Sequence, residues 1–260
     1  MAKFKSLFDF SGKNGKYSIY KRKDSDEIIL RRSGGPTKQQ INSLPQFERT
    51  RQNNSEFAAC SMFTAGIRAA MYPVNHLGDS GFTSALTSLA KKIQVLDEMG
   101  ERGERNIRLS RFRHMLDGFN LNLECPFDGV FRAPVVVKTN RKNATASIII
   151  PKAVPGVNLH LPWKTPYYRF IFSLGPISDV LFKDNAFDCK DAGATHFSFA
   201  EWQHAEASAE ETVIDMQLEK SSSRTVSYVL AIGIEPGVPD RFGEKEPKTG
   251  AGTAKILTVF

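Results

Sequence analysis

The spacing of apolar residues changes once along this chain, near residue 120, and that change most constrains its fold. Before it, apolar side chains recur at helical spacing. Phe82, Leu86, Leu89, Ile93 and Leu96 fall on one side of a helix, with Thr83, Ser84, Thr87, Ser88, Lys91 and Lys92 on the other. From Leu121 onward the period is two. Tyr168, Phe170 and Phe172 alternate with Arg169, Ile171 and Ser173, and Thr212, Ile214, Met216 and Leu218 alternate with Val213, Asp215 and Gln217. Further runs lie at Val135–Val137, Ser147–Ile150, Phe197–Phe199, Tyr228–Ile234 and Ala254–Phe260. About seven short strands with turn residues between them, and no helical crossovers, predict an antiparallel β-sandwich over residues 121–260. The last strand closes the chain, so removing it is expected to impair folding.

The front of the chain reads differently. Lys16–Arg22 and Glu27–Arg32 are β-prone runs around the polar turn Lys23-Asp24-Ser25-Asp26, which predicts a hairpin arm over residues 1–36. A four-residue loop sets Tyr20 opposite Ile29, Ile19 opposite Leu30 and Arg22 opposite Glu27. Apolar groups then lie on both faces of a two-stranded ribbon, which is marginal alone in water and must be covered. The candidate interface is Tyr17, Ile19, Tyr20, Ile28, Ile29 and Leu30, covered either by the same chain or by a neighbour whose sheet the ribbon extends.

Residues 37–120 predict a small helical domain. Thr37 followed by Gln40 has the form of a capping box, and Pro45 stops the short helix it opens. A longer helix over about 46–72 ends before Pro73, with Phe57, Ala58, Met62, Ala65 and Ala69 as its apolar stripe. A fourth helix is expected over about 104–116, before Gly118. The fold class is therefore α+β: hairpin, helical bundle, β-sandwich.

Charge follows the same asymmetry. The 260 residues carry a formal +7, of which residues 1–120 contribute +8 and the rest −1. A basic front either simply keeps a helical surface soluble or meets something acidic, such as the oppositely charged patch of a neighbour. The basic patch on the arm comprises Lys16, Lys21, Arg22, Arg31 and Arg32; Tyr17 and Tyr20 beside it could stack on bases. Arg102, Arg105, Arg108 and Arg111 are interleaved with Asp97, Glu98, Glu101 and Glu104, a pattern of local ion pairs rather than a phosphate track.

Catalytic motifs fail on inspection. Ser88 and Lys91 stand one helical turn apart and Lys248-Thr249-Gly250 follows later, but Ser178-Asp179 continues with Val180 instead of the asparagine that acyl-transferases of this pattern need. Gly12–Ser18 lacks the spacing of a phosphate loop and leads into a strand. The five histidines and three cysteines show no ligand spacing, so no metal, cofactor or disulfide framework is expected. The amino terminus has no apolar signal core, and no run is long enough to span a membrane; a cytoplasmic, non-enzymatic protein is the reading.

The residues Ser11-Gly12, Gly15, Tyr20-Lys21, Arg31, Gly34-Gly35-Pro36 and Phe47-x-Arg49-Thr50-Arg51-x-Asn53-x-Ser55-Glu56-Phe57 resemble an uncharacterised family of Bacteroidota proteins. The resemblance implies no activity and no catalytic residues. It supports reading hairpin, turn and long helix as one inherited unit, with the polar run 49–56 hydrogen-bonding the Gly34-Gly35 turn. Taken together, these features lead us to expect a structural subunit that associates with itself into a filament, tube or shell through its arm, or failing that a nucleic-acid accessory protein.

Overall fold

The computed structural model describes residues 2–4, 11–21, 27–32, 34–189, 193–221 and 223–260. The architecture is α+β, with antiparallel sheets and one long helix. The chain divides into two compact units, residues 1–51 and 52–260.

The first unit holds β1 (Ala2–Phe4), β2 (Gly12–Asn14), β3 (Tyr17–Lys21) and β4 (Ile28–Arg32) in the order β1-β4-β3-β2. The β3–β4 register is the expected one: Tyr20 pairs with Ile29 and Ile19 with Leu30. Arg22 and the turn 23–26 lie outside the described residues. The hairpin is not a two-stranded ribbon, however, because β1 pairs with β4 and β2 with β3. Gly15, at φ 57° in the turn between β2 and β3, occupies a left-handed conformation that glycine adopts without strain.

Helix α1 (Lys38–Ser43) carries the expected capping box. The Thr37 hydroxyl accepts the Gln40 N–H at 3.2 Å, and the Gln40 side chain accepts the Thr37 N–H at 2.7 Å. Pro45 ends it, and a 3-10 turn leads into α2 (Glu48–Ala70). Arg51 donates to the carbonyls of Ile41 and Leu44 at 2.8 and 3.0 Å. It closes the C-terminus of α1, whose last carbonyls have no helical partner; the Gly34-Gly35 turn is not its target.

In the second unit α2 is followed by a 3-10 turn (Tyr72–Leu77), α3 (Phe82–Val95) and the single turn α4 (Phe127–Val130). Then come β5 (Val136–Asn140), β6 (Thr145–Ile150), β7 (Tyr167–Ser178), β8 (Leu181–Lys183), β9 (Ala186–Asp188), β10 (His196–Phe199), β11 (Gln203–His204), β12 (Thr212–Gln217), β13 (Val226–Pro239), β14 (Lys245–Pro247) and β15 (Thr253–Val259). Strands β7 and β13 form the centre of the main sheet; β10 and β11 pair with β7, and β14 and β15 with β13. A second sheet has the order β12-β6-β5, and β8 and β9 form a separate hairpin.

Period-two alternation gives the main sheet two buried faces. Ile171, Val229, Ala231, Ala254 and Ile256 share one core with Phe63 and Ile67 of α2 and Leu86 and Ile93 of α3. Phe170, Phe172, Leu230, Ile232 and Ile234 share the other with Ile148, Ile150 and Met216 of the second sheet and with Phe127 and Phe131. The second core draws on both sheets. Helices α2 and α3 share their core with the main sheet across the change of period near residue 120.

Two helical expectations are corrected. Residues 104–116 form two short 3-10 turns, Leu109–Arg111 and Arg113–Leu116, instead of a helix. Backbone groups there are engaged elsewhere: Ile107 and Val180 exchange N–H···O bonds of 2.9 and 3.0 Å, and Asp97 takes the Asn106 N–H at 2.7 Å. On α2 the buried face is Glu56, Ala59, Cys60, Phe63, Thr64, Ile67 and Ala70, about one residue from the stripe read in the sequence; Phe57 is 63% exposed. The buried face begins at a glutamate, which apolar periodicity cannot register.

Candidate functional site

The formal charge of the chain is concentrated in the sequence of the first unit. Residues 1–51 contain 12 Lys/Arg and 5 Asp/Glu, a net +7, whereas residues 52–260 contain 23 of each and are neutral. The entire formal charge of the chain therefore belongs to the smaller unit.

Of the six candidate interface residues, Ile28 and Ile29 are 1% and 4% exposed and so are already covered within the chain. Ile19, Tyr20 and Leu30 are half-buried, and Tyr17 is 51% exposed. Alternation assigns the basic patch to both faces of the sheet. Arg32 pairs with Tyr17 and Lys21 with Ile28, on the face shared with Ile19 and Leu30. Arg31 pairs with Ser18 on the opposite face, where its guanidinium lies 5.7 Å from the centre of the Tyr20 ring. Lys16 is exposed in the β2–β3 turn, and Arg22 is outside the described residues. Among the described residues no strand pairs with the outer edge of β1 or β2.

A second cluster, centred on Glu56, accounts for much of the polar run in α2. Glu56 is fully buried. One carboxylate oxygen accepts from Arg105 Nε at 2.7 Å and from the Gly103 N–H at 3.0 Å; the other accepts from Arg105 Nη2 at 3.1 Å and from Lys91 Nζ. Burial alone would push this carboxyl up, but the bonds from Arg105, Lys91 and Gly103 outweigh it and hold it at about 2, against an ordinary 4.5. Nearby, Ser55 Oγ donates to the Gly103 carbonyl at 2.7 Å, and Arg102 Nη2 donates to Asn53 Oδ1 at 2.9 Å. Asn53, Ser55 and Glu56 thus anchor the 102–105 loop.

Beside this cluster lies a cavity of about 470 Å³ lined by Asn53, Phe57, Cys60, Ser84, Thr87, Ser88 and Lys91. Ser88 and Lys91 do share it, but the Lys91 ammonium is bonded to Glu56 and, at 3.0 Å, to Gln94 Oε1. Burial pushes the Cys60 thiol up, away from the reactive thiolate. Asp179, the acid of the Ser178-Asp179 pair, accepts from Ser110 N–H and Oγ at 2.8 and 2.6 Å. These groups tie segments together.

A third buried acid, Glu235, accepts from Arg169 Nε at 2.7 Å and contacts His76 Nε2 at 2.6 Å. The Arg169 guanidinium lies 4.4 Å from the Phe199 ring centre and 4.3 Å from that of Trp202. This assembly fastens the 72–77 turn and the segment after β10 to the main sheet. None of its members was legible as a site, because the residues lie far apart in the chain. Among the described residues no group of three His, Cys, Asp or Glu side chains is placed to hold a metal ion, and no helix is long and apolar enough to cross a membrane.

Comparison of the chain with protein-family profiles, curated proteins and solved structures finds no match. The functional reading therefore rests on geometry and charge.

Proposed function

We propose that this chain is a structural subunit that associates with copies of itself into a filament, tube or shell, with the N-terminal unit as the arm that engages a neighbour. The supporting observation is the partition of charge: +7 on 51 residues and zero on the remaining 209. A small, strongly basic unit on a neutral body is arranged to seek an acidic surface. Because Ile28 and Ile29 are covered within the chain, the contact falls to Tyr17, Ile19, Tyr20 and Leu30, to the exposed Lys16, Lys21, Arg31 and Arg32, and to the open edges of β1 and β2. Open edges are templates for strand addition. A nucleic-acid face would gather its cations on one side, whereas the alternation of Arg31 and Arg32 divides them, so self-association is favoured.

Deleting residues 1–35 removes all four strands of the arm and none of the two cores of the larger unit. Light scattering should then report a monomer, or a much smaller particle, with unchanged thermal unfolding of the body. An identical particle mass with and without the arm would refute the reading.

A further inference from the structure

We infer that the arm of one copy docks on the open edge of β12 in a second copy. This rests on the self-association reading above and names its receiving surface.

Strand β12 is the outer strand of the β12-β6-β5 sheet. Its backbone directions can be read from two bonds. The Leu218 N–H donates to Ala144 on the β6 side, while the Gln217 N–H turns outward to the ring of His196 at 3.4 Å, so that β10 covers this end of the edge and the Val213 end receives the arm. Alternation then directs the N–H and C=O of Val213 and Asp215 outward as well. Val213 is 53% exposed and Asp215 is exposed, and among the described residues no strand pairs with them. Natural edges of this kind are usually covered, bulged or guarded by lysine. This one has neither lysine nor arginine in its own strand.

What covers it is indicated by charge. Residues 201–219 include Glu201, Glu206, Glu210, Glu211, Asp215 and Glu219, all exposed, and no Lys or Arg. Lys152 neutralises Glu210 through a 2.6 Å bridge, and Lys138 shares a cross-strand row with Ser147 and Asp215. Glu211, Asp215 and Glu219 still leave the edge acidic. In a chain whose larger unit is neutral overall, this is a local deficit of positive charge at a strand whose outer edge has no strand partner among the described residues. The basic arm supplies the complement, with outer strand edges that have no partner among the described residues and with Lys13 and Lys16 exposed at the β2 end. Strand addition would supply main-chain hydrogen bonds, and the charges would supply partner choice and register. An apolar row, exposed at Val136 and Val213 and half-buried at Ile149, adjoins the edge and offers packing to the half-buried face of an incoming sheet.

The test uses full-length chains. An edge variant, E211K/D215K/E219K, and an arm variant, K13E/K16E/R32E, should each sediment as monomers while keeping the wild-type far-ultraviolet spectrum and thermal transition. Mixed in equal amounts, they should restore the wild-type particle mass, because the substituted positions of each variant then face positions of opposite sign on the other. Should the edge variant retain the wild-type mass while deletion of residues 1–35 abolishes it, the arm reading stands and the β12 site is wrong. Monomeric variants that fail to associate on mixing would also overturn the site. Loss of neither mass, in the deletion or in the variants, would overturn both readings.

Discussion

Replacing Glu56 with alanine is expected to destabilise the protein by about 3–5 kcal/mol, the usual cost of removing one member of a buried ion pair and stranding the other. Arg105 loses both of its carboxylate bonds, the Gly103 N–H loses its acceptor, and the fixed link between α2 and the 102–105 loop is lost. Glu56→Gln keeps the volume and one acceptor but not the charge, and should fall between wild type and alanine. The pH dependence carries the same signature. The folded carboxyl titrates at about 2 and the free one at 4.5. Its contribution is therefore fully present above about pH 4.5 and is lost as pH falls toward 2. Because Lys91 is 43% exposed and partly screened, that contribution is about 2 kcal/mol. Glu235 and Asp97 are also held low, through His76 and Arg169 and through Asn106 and Arg108, so some acid sensitivity should survive in the variant. Urea unfolding of wild type and Glu56→Ala at several pH values checks both statements: the gap between them should shrink below pH 4.5. An equal gap at all pH values would contradict the assignment.

Gly175→Ala is expected to cost about 3 kcal/mol or to prevent folding. A Cβ at this position would lie 2.4 Å from the Cα and 2.5 Å from the carbonyl oxygen of Ala70. Both are backbone atoms, so no side-chain rotation relieves the clash. Two residues earlier Ser173 donates to the same Ala70 carbonyl at 2.7 Å, fixing the end of α2 against β7. The strand must be displaced from the helix, at a cost at the upper end of that for overpacked cores. Thermal unfolding of the purified variant should show a transition lowered by well over 5 °C. Unchanged stability would mean that α2 and β7 do not meet this closely.

How much of this was legible depends on whether a residue's role is local. The Thr37–Gln40 box, the stop at Pro45 and the Tyr20–Ile29 register all follow from neighbours within a few positions, and each is found as expected. Alternation at Phe170, Phe172 and Ile232 likewise identified strands. It could not reveal that the helices and strands share a core, because that depends on Ile67 and Ile171 meeting across about a hundred residues. The helix expected over 104–116 failed for a related reason: Ile107 found a bridging partner at Val180. For the candidate site, the basic residues and the hairpin were visible, but β1 and β2 as flanking strands were not. The acidic stretch 201–219 left a plain compositional signal, six acids with no Lys or Arg, that stands out once β12 is seen to be an edge.

Copies of this chain are proposed to hold one another through opposite charges on arm and body. Particle mass of the full-length protein, measured by light scattering at about 0.01 M and about 1 M salt, tests it most directly, since electrostatic reach falls from about 30 Å to about 3 Å between those conditions. A multi-subunit mass at low salt that collapses toward one chain at high salt is the predicted result. The mass of a single chain at low salt and high protein concentration would contradict it.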